Sequence, residues 1–225
     1  TSNELTQFSP IPAENSSVNF ENRVKETEVF NFLNFGNIYN GGGVATADFN
    51  NDGLVDIYFT ANQQSNKLYL NKGNFKFEDI TENAGVKDLE GWSTGVSVVD
   101  VNNDGWLDIY VCKSGVIDDK TPKENKLFIN QQNNTFKERA EEWKINDAGF
   151  STQSYFLDFD KDGDLDMYLV NHRSDFHNSG SLNMRRETTY SEFSSDKLYR
   201  NDGNVFTEIT HKAGIVNKAW GLSAS

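Results

Sequence analysis

Three nine-residue stretches carry side chains that could hold a hard cation: Asp48-Phe-Asn50-Asn-Asp52-Gly53-Leu-Val-Asp56, Asp100-Val-Asn102-Asn-Asp104-Gly105-Trp-Leu-Asp108 and Asp158-Phe-Asp160-Lys-Asp162-Gly163-Asp-Leu-Asp166. Each places oxygen-bearing side chains at positions 1, 3, 5 and 9 and a glycine at position 6, where the backbone must turn sharply. Ca²⁺ takes about six to eight oxygens at roughly 2.3–2.6 Å, so these side chains, with the position-7 carbonyls of Leu54, Trp106 and Asp164, supply most of a coordination shell. Asp, Asn and Gly also dominate ordinary turns, and a single copy would not separate the two readings. Three in-register copies favour the cation and predict about three bound Ca²⁺. The third loop, with four ligand carboxylates against three in each of the others, is expected to bind most tightly.

The loops are not of the helix–loop–helix kind. Such a loop closes with a bidentate Glu at position 12, where this chain has Phe59, Val111 and Leu169. Immediately after the loops the chain reads Ile-Tyr-Phe, Ile-Tyr-Val and Met-Tyr-Leu, all of which favour strand, so each loop is predicted to join two β-strands.

Around each loop the same grammar recurs. The first repeat predicts strands at Val44–Phe49, Asp56–Thr60, Lys67–Asn71 and Phe75–Thr81, the second at Gly95–Asp100, Asp108–Cys112, Lys126–Asn130 and Thr135–Ala140. The third predicts Gln153–Asp158, Asp166–Val170, Lys197–Asn201 and Val205–Thr210. The third strand of each is nearly the same sentence: Asn66-Lys-Leu-Tyr-Leu-Asn71, Asn125-Lys-Leu-Phe-Ile-Asn130, Asp196-Lys-Leu-Tyr-Arg-Asn201. Four short antiparallel strands cannot bury both faces alone, so the expected fold is all-β: a β-propeller of four-stranded antiparallel blades. Residues 1–40 are expected to be a lead-in packing on the propeller, and 41–225 the blades, with repeats at about 41–91, 92–148 and 149–218. Gly221-Leu-Ser-Ala-Ser225 matches Gly43-Val-Ala-Thr-Ala47, which predicts the start of a fourth blade at 219–225 and makes the chain a fragment of a larger propeller.

The formal charge of −13 argues against nucleic acid or an anionic membrane surface as partner. Three bound Ca²⁺ would bring it to −7. The single cysteine, Cys112, rules out an internal disulfide and lies in an apolar strand, where it is expected to act as a small buried hydrophobe. No apolar run in the chain approaches the ~18–20 residues that span a bilayer as a helix, so no transmembrane segment is expected in this chain.

With these motifs in view the sequence resembles the FG-GAP/VCBS repeat family of calcium-loop β-propellers. Asn40-Gly-Gly-Gly-Val-Ala45, Asn50-Asn-Asp-Gly-Leu-Val-Asp-Ile-Tyr-Phe59 and Asn103-Asp-Gly-Trp-Leu-Asp-Ile-Tyr110 resemble exported proteins of Bacteroidota in the ASPIC/UnbV, cartilage-acidic-protein-like group. The resemblance covers roughly residues 18 to 225 and lacks the Gly-Ala-Pro that integrin-type repeats carry after Phe35-Gly36. It implies an extracytoplasmic, cell-surface or secreted location, attachment to a larger exported protein, and a binding or scaffold role toward a protein or glycan ligand. The alternative is part of a propeller enzyme acting on polysaccharide, a lyase or hydrolase, with catalytic residues partly outside this chain.

Within the chain itself no catalytic residue is assigned. The three histidines form no nucleophile or zinc pattern, and the loop aspartates recur once per blade, as a structural role requires. His172 and His177 are expected in solvated loop, and Trp92, Phe150 and Trp220 in core or inter-blade packing. A ligand is expected on the face opposite the cation loops, where the connections between second and third strands lengthen to Ser114–Glu124 and His172–Ser195 against Ala61–Asn66 in the first repeat. The longest connection carries His172, Arg173, His177, Arg185, Arg186 and Tyr190, a basic and aromatic set suited to an anionic or sugar ligand.

Overall fold

The computed structural model describes residues 8–28, 30–33, 38–89, 91–114, 124–172, 192–215 and 224. Among the described residues twelve strands form three separate sheets, each a meander of four neighbours in chain order. The first is β1 (Val44–Ala47), β2 (Asp56–Phe59), β3 (Lys67–Asn71) and β4 (Phe77–Asp79). The second is β5 (Trp92–Val99), β6 (Asp108–Ser114), β7 (Lys126–Asn130) and β8 (Phe136–Glu138), and the third β9 (Ser151–Leu157), β10 (Asp166–Asn171), β11 (Lys197–Asn201) and β12 (Phe206–Glu208). All pairings are antiparallel. The described residues hold two single-turn helices, α1 (Ala13–Ser16) and α2 (Thr81–Ala84). The fold is therefore all-β, built of four-stranded antiparallel propeller blades.

Period-2 alternation sends the two faces of each blade into different cores. On β6, which is buried along its whole length, Ile109 and Val111 join Tyr58, Leu68, Leu70 and Phe136 in a core shared with the first blade. Tyr110 and Cys112, on the other face, join Met167, Leu169, Tyr199 and Phe206 in a core shared with the third. Cys112 is fully buried, and burial pushes its thiol pKa up, as fits a packing residue. Each blade thus completes its neighbour.

The starts of adjacent blades meet at backbone carbonyls, which accept from backbone N–H and side-chain hydroxyl groups. The Gly43 N–H donates to the Thr94 carbonyl at 2.8 Å, the Thr94 hydroxyl to the Ser151 carbonyl at 2.7 Å, and the Ser97 hydroxyl to the Ser154 carbonyl at 2.6 Å. At Gly95 the approach leaves no room for a side chain: a Cβ there would lie 2.2 Å from the Thr152 carbonyl oxygen. Two buried ion pairs add charge complementarity, Lys113 at the end of β6 with Asp88 before β5, and Lys197 on β11 with Asp147 before β9.

The strand reading differs from the structure at the fourth strands, where the expected Phe75–Thr81, Thr135–Ala140 and Val205–Thr210 shorten to three residues each and Thr81 opens a helical turn, and at β5, which begins at Trp92 rather than Gly95. The pairing of β5 with β6 slips between Ser93 and Val96, so the three extra residues re-enter the ladder out of register and break the alternation that marks a strand in sequence. Trp92 is buried and meets Phe30 edge-on at 5.0 Å, in a small core with Ile38. Phe20 stacks on Phe59 at 4.7 Å, and Asn22 exchanges hydrogen bonds with Asn62.

Candidate functional site

Each Asp-rich loop is shaped by its own carboxylates. In the first, the Asp48 carboxylate accepts the N–H groups of Asp52 (3.1 Å) and Gly53 (2.7 Å), and Asp52 accepts that of Leu54 (2.8 Å). Asp100 repeats this with Asp104 and Gly105 (2.9 and 2.8 Å), and Asp158 with Asp162 and Gly163 (3.2 and 3.3 Å). Tight closure needs left-handed backbone twice. The glycines at position 6 take φ of 83°, 83° and 100°, and position 4 does the same with Asn51, Asn103 and Lys161 at 56°, 57° and 64°. Asn tolerates this region and Lys does so less readily, so the third loop carries more strain.

The third position separates the loops chemically. Asn50 and Asn102 each donate a side-chain N–H to the aspartate two residues on, Asp52 and Asp104, at 3.0 Å. Asp160 has no N–H to give. Among the described residues one group of three carboxylates has ligand oxygens all within 4.8 Å of one another, Asp158, Asp160 and Asp166. Desolvation first, and then the charges of Asp162 and Asp166, push the Asp160 pKa up. The Oδ1 of Asp164, in the same loop, is buried without a hydrogen-bond partner.

The ninth-position aspartates do more than close the loop. Asp56, Asp108 and Asp166 have no exposed surface. One oxygen of each accepts the N–H at position 2 of its own loop (Phe49 2.9 Å, Val101 3.1 Å, Phe159 3.0 Å). The other accepts the N–H ending the third strand (Asn71 2.8 Å, Asn130 2.8 Å, Asn201 2.9 Å). A carboxylate offers about four lone-pair sites, so two backbone contacts leave acceptor capacity for a cation. Burial pushes Asp56 above the ordinary carboxylate range and Asp108 up to about 7, in each case against the opposing effect of those backbone N–H groups.

This wiring explains why both ends of the third-strand motif are polar. The closing Asn71, Asn130 and Asn201 also donate side-chain N–H groups to the position-8 carbonyls of Val55, Leu107 and Leu165. Asn130 further reaches the Phe49 carbonyl at 2.8 Å, and Asn51 the Gly105 carbonyl at 3.3 Å, which ties the first loop to the second. At the opposite end Asn66, Asn125 and Asp196 accept the backbone N–H groups of Ala61, Lys113 and Asn171 and bond the hydroxyls of Tyr58, Tyr110 and Tyr168. Where the residue is Asn it donates to the tyrosine oxygen; Asp196 has only acceptors, and there Tyr168 donates. Sequence reasoning does not assign these roles, although their threefold repetition is the signal. The same holds for the turn after each fourth strand, where Gly85, Lys144 and Gly214 adopt positive φ and Val86 and Ile145 are fully buried.

Of the six residues expected to meet a ligand, Arg173, His177, Arg185, Arg186 and Tyr190 lie outside the described residues. His172 is described, and it is not solvated: it is buried at the end of β10, its backbone N–H donating to the Phe150 carbonyl at 2.8 Å. Trp220 also lies outside the described residues, and His211 is exposed in the turn after β12.

An all-oxygen donor set suits a hard cation and offers nothing to a thiophilic one. The clustered carboxylates, the raised Asp56, Asp108 and Asp160, and the unpartnered Asp164 oxygen fit such a group. The FG-GAP-like repeat family matches residues 48–111 and 116–169. Cartilage acidic protein 1 of Xenopus tropicalis is 29% identical over 147 residues, covering 60% of this chain and 20% of that protein. The chain thus spans about a fifth of that relative's length.

Proposed function

The chain belongs to the FG-GAP-like repeat family, and from that premise we propose that it is a calcium-binding, extracytoplasmic β-propeller module that presents a protein or glycan ligand-binding surface on a metal-braced scaffold. The observation that carries this reading is the threefold loop whose first aspartate is already oriented by backbone N–H groups in every copy, with three carboxylates converging in the third. Asp48, Asn50, Asp52 and Asp56 would hold one ion, Asp100, Asn102, Asp104 and Asp108 a second, and Asp158, Asp160, Asp162 and Asp166 a third. Bound Ca²⁺ supplies positive charge that offsets the mutual repulsion of these carboxylates. The protein's own residues then transmit the effect: the ninth-position aspartate joins loop to third strand, and Asn130 joins the first loop to the second.

Extracellular Ca²⁺ fills even sites of about 10⁻⁴–10⁻³ M affinity, which suits an exported module. Family membership and a relative named for cartilage support that placement. No described helix is long and apolar enough to cross a membrane.

Thermal unfolding tests this reading. Because the ion binds the folded loops and not the unfolded chain, the melting temperature is expected to be higher in millimolar Ca²⁺ than in EDTA, and to rise with Ca²⁺ concentration. Equal melting in the two conditions contradicts it.

A further inference from the structure

We infer that the cavity between the first strands of the three blades is a binding site for a neutral, hydroxyl-rich ligand of one or two sugar units. The inference rests on the module reading above and gives it a location and a ligand class. The cavity has a volume of about 370 Å³, within the ~300–1,000 Å³ of small-molecule sites. It lies where β1, β5 and β9 begin and β6 and β10 end, at the strand ends remote from the Asp-rich loops.

Its lining is chemically unlike the rest of the molecule. In a protein of formal charge −13, no Asp, Glu, Lys or Arg lines it among the described residues. The polar groups are neutral amides and hydroxyls, among them Ser114, Gln153 and Tyr155, with the imidazole of His172. Gln153 lines the cavity, and its Oε1, packed against Gly95, is used by no protein donor, so a small turn of the amide would offer an acceptor to a ligand. Val44, 59% exposed, adds an apolar surface beside these groups. Hydroxyls that donate and accept, on a ring whose C–H faces are apolar, complement such a wall. A carboxylate or phosphate would find no Lys or Arg among the described residues there, and an ammonium would find no carboxylate. The second cavity, about 480 Å³, is of the opposite kind: Asp147, Lys197, Glu192 and Glu208 line it, and Lys197 is already paired with Asp147.

The test is saturation-transfer NMR of the 225-residue chain in millimolar Ca²⁺ with glucose, galactose, mannose, N-acetylglucosamine and their β-linked disaccharides, and glucuronate as the charged control. Saturable binding of at least one neutral sugar is expected, weakened about tenfold or more in Gln153→Leu while the melting temperature in Ca²⁺ stays within a few degrees of the parent. Ser114→Ala serves as the second variant and is expected to weaken binding in the same direction. Absence of saturable binding to tens of millimolar overturns the inference, as does tighter binding of glucuronate than of any neutral sugar, or binding that neither substitution changes. If binding is absent while the Ca²⁺-dependent melting shift persists, this site is wrong and the calcium-braced module stands; loss of the melting shift itself counts against the module.

Discussion

Asp166→Ala is expected to lower stability by about 3–5 kcal/mol in EDTA as well as in Ca²⁺, whereas Asp160→Ala is expected to cost stability in Ca²⁺ alone. Asp166 is fully buried, and its two oxygens accept the Phe159 and Asn201 backbone N–H groups at 3.0 and 2.9 Å. Alanine would leave two buried donors without an acceptor, each costing about 1–3 kcal/mol, and would open a small void. None of that depends on an ion. Asp160 is exposed, and its contribution is ligand charge beside Asp158 and Asp166. Without metal its removal relieves repulsion; with metal it deletes a ligand. Urea unfolding of both variants in EDTA and in Ca²⁺ separates the two roles through the midpoint at unchanged m-value. An equal loss for Asp160→Ala in both conditions would mean that the third position holds the fold and not the ion.

The second large effect is a pH dependence that Ca²⁺ removes. In EDTA the protein is expected to become less stable as pH rises from 5 to 8. Burial pushes Asp108 up to about 7 in the folded chain, from an ordinary carboxylate value near 3.9 in the unfolded one. Protonation therefore favours the folded state: the contribution is fully present below the unfolded value and is lost as pH climbs through the folded one. For Asp108 this is worth on the order of 4 kcal/mol, and Asp56 acts in the same direction. In Ca²⁺ this slope is expected to vanish, because the ion holds in the folded state the same deprotonated carboxylates that the unfolded chain carries at these pH values. Melting temperatures measured across this pH range with and without Ca²⁺ should diverge from about pH 5 to 7 and run parallel above that. Parallel pH dependences across the whole range would contradict the assignment of Asp56 and Asp108 to metal-linked sites.

The blade architecture is legible in the sequence because its signals are local and repeated. The glycine at position 6 of each loop, the aromatic second strands and the near-identical third strands fix three meanders, and β3, β7 and β11 run over the residues expected of them. Features that depend on distant partners are not legible in this way. The hydrogen bond from Asn125 to the Tyr110 hydroxyl, or the reach of Asn130 to the first loop's Phe49 carbonyl, joins residues 15 and 81 positions apart. The strand start at Trp92 is hidden because the slip between Ser93 and Val96 destroys the period-2 pattern. His172 follows the end of a strand and begins a polar stretch, so its burial against the start of β9 cannot be read from its neighbours. The ninth-position aspartates stand out in sequence as charged and recurrent, yet their backbone role needs the third strand in place beside them.

Native mass spectrometry of the EDTA-stripped chain titrated with Ca²⁺ addresses the central claim most directly. Three ions per chain are expected to bind, the tightest at the third loop, and Asp160→Ala is expected to remove or weaken that one while the other two are retained. Failure to take up Ca²⁺, or an uptake that Asp160→Ala and its counterparts Asn50→Ala and Asn102→Ala leave unchanged in number and affinity, would contradict the account.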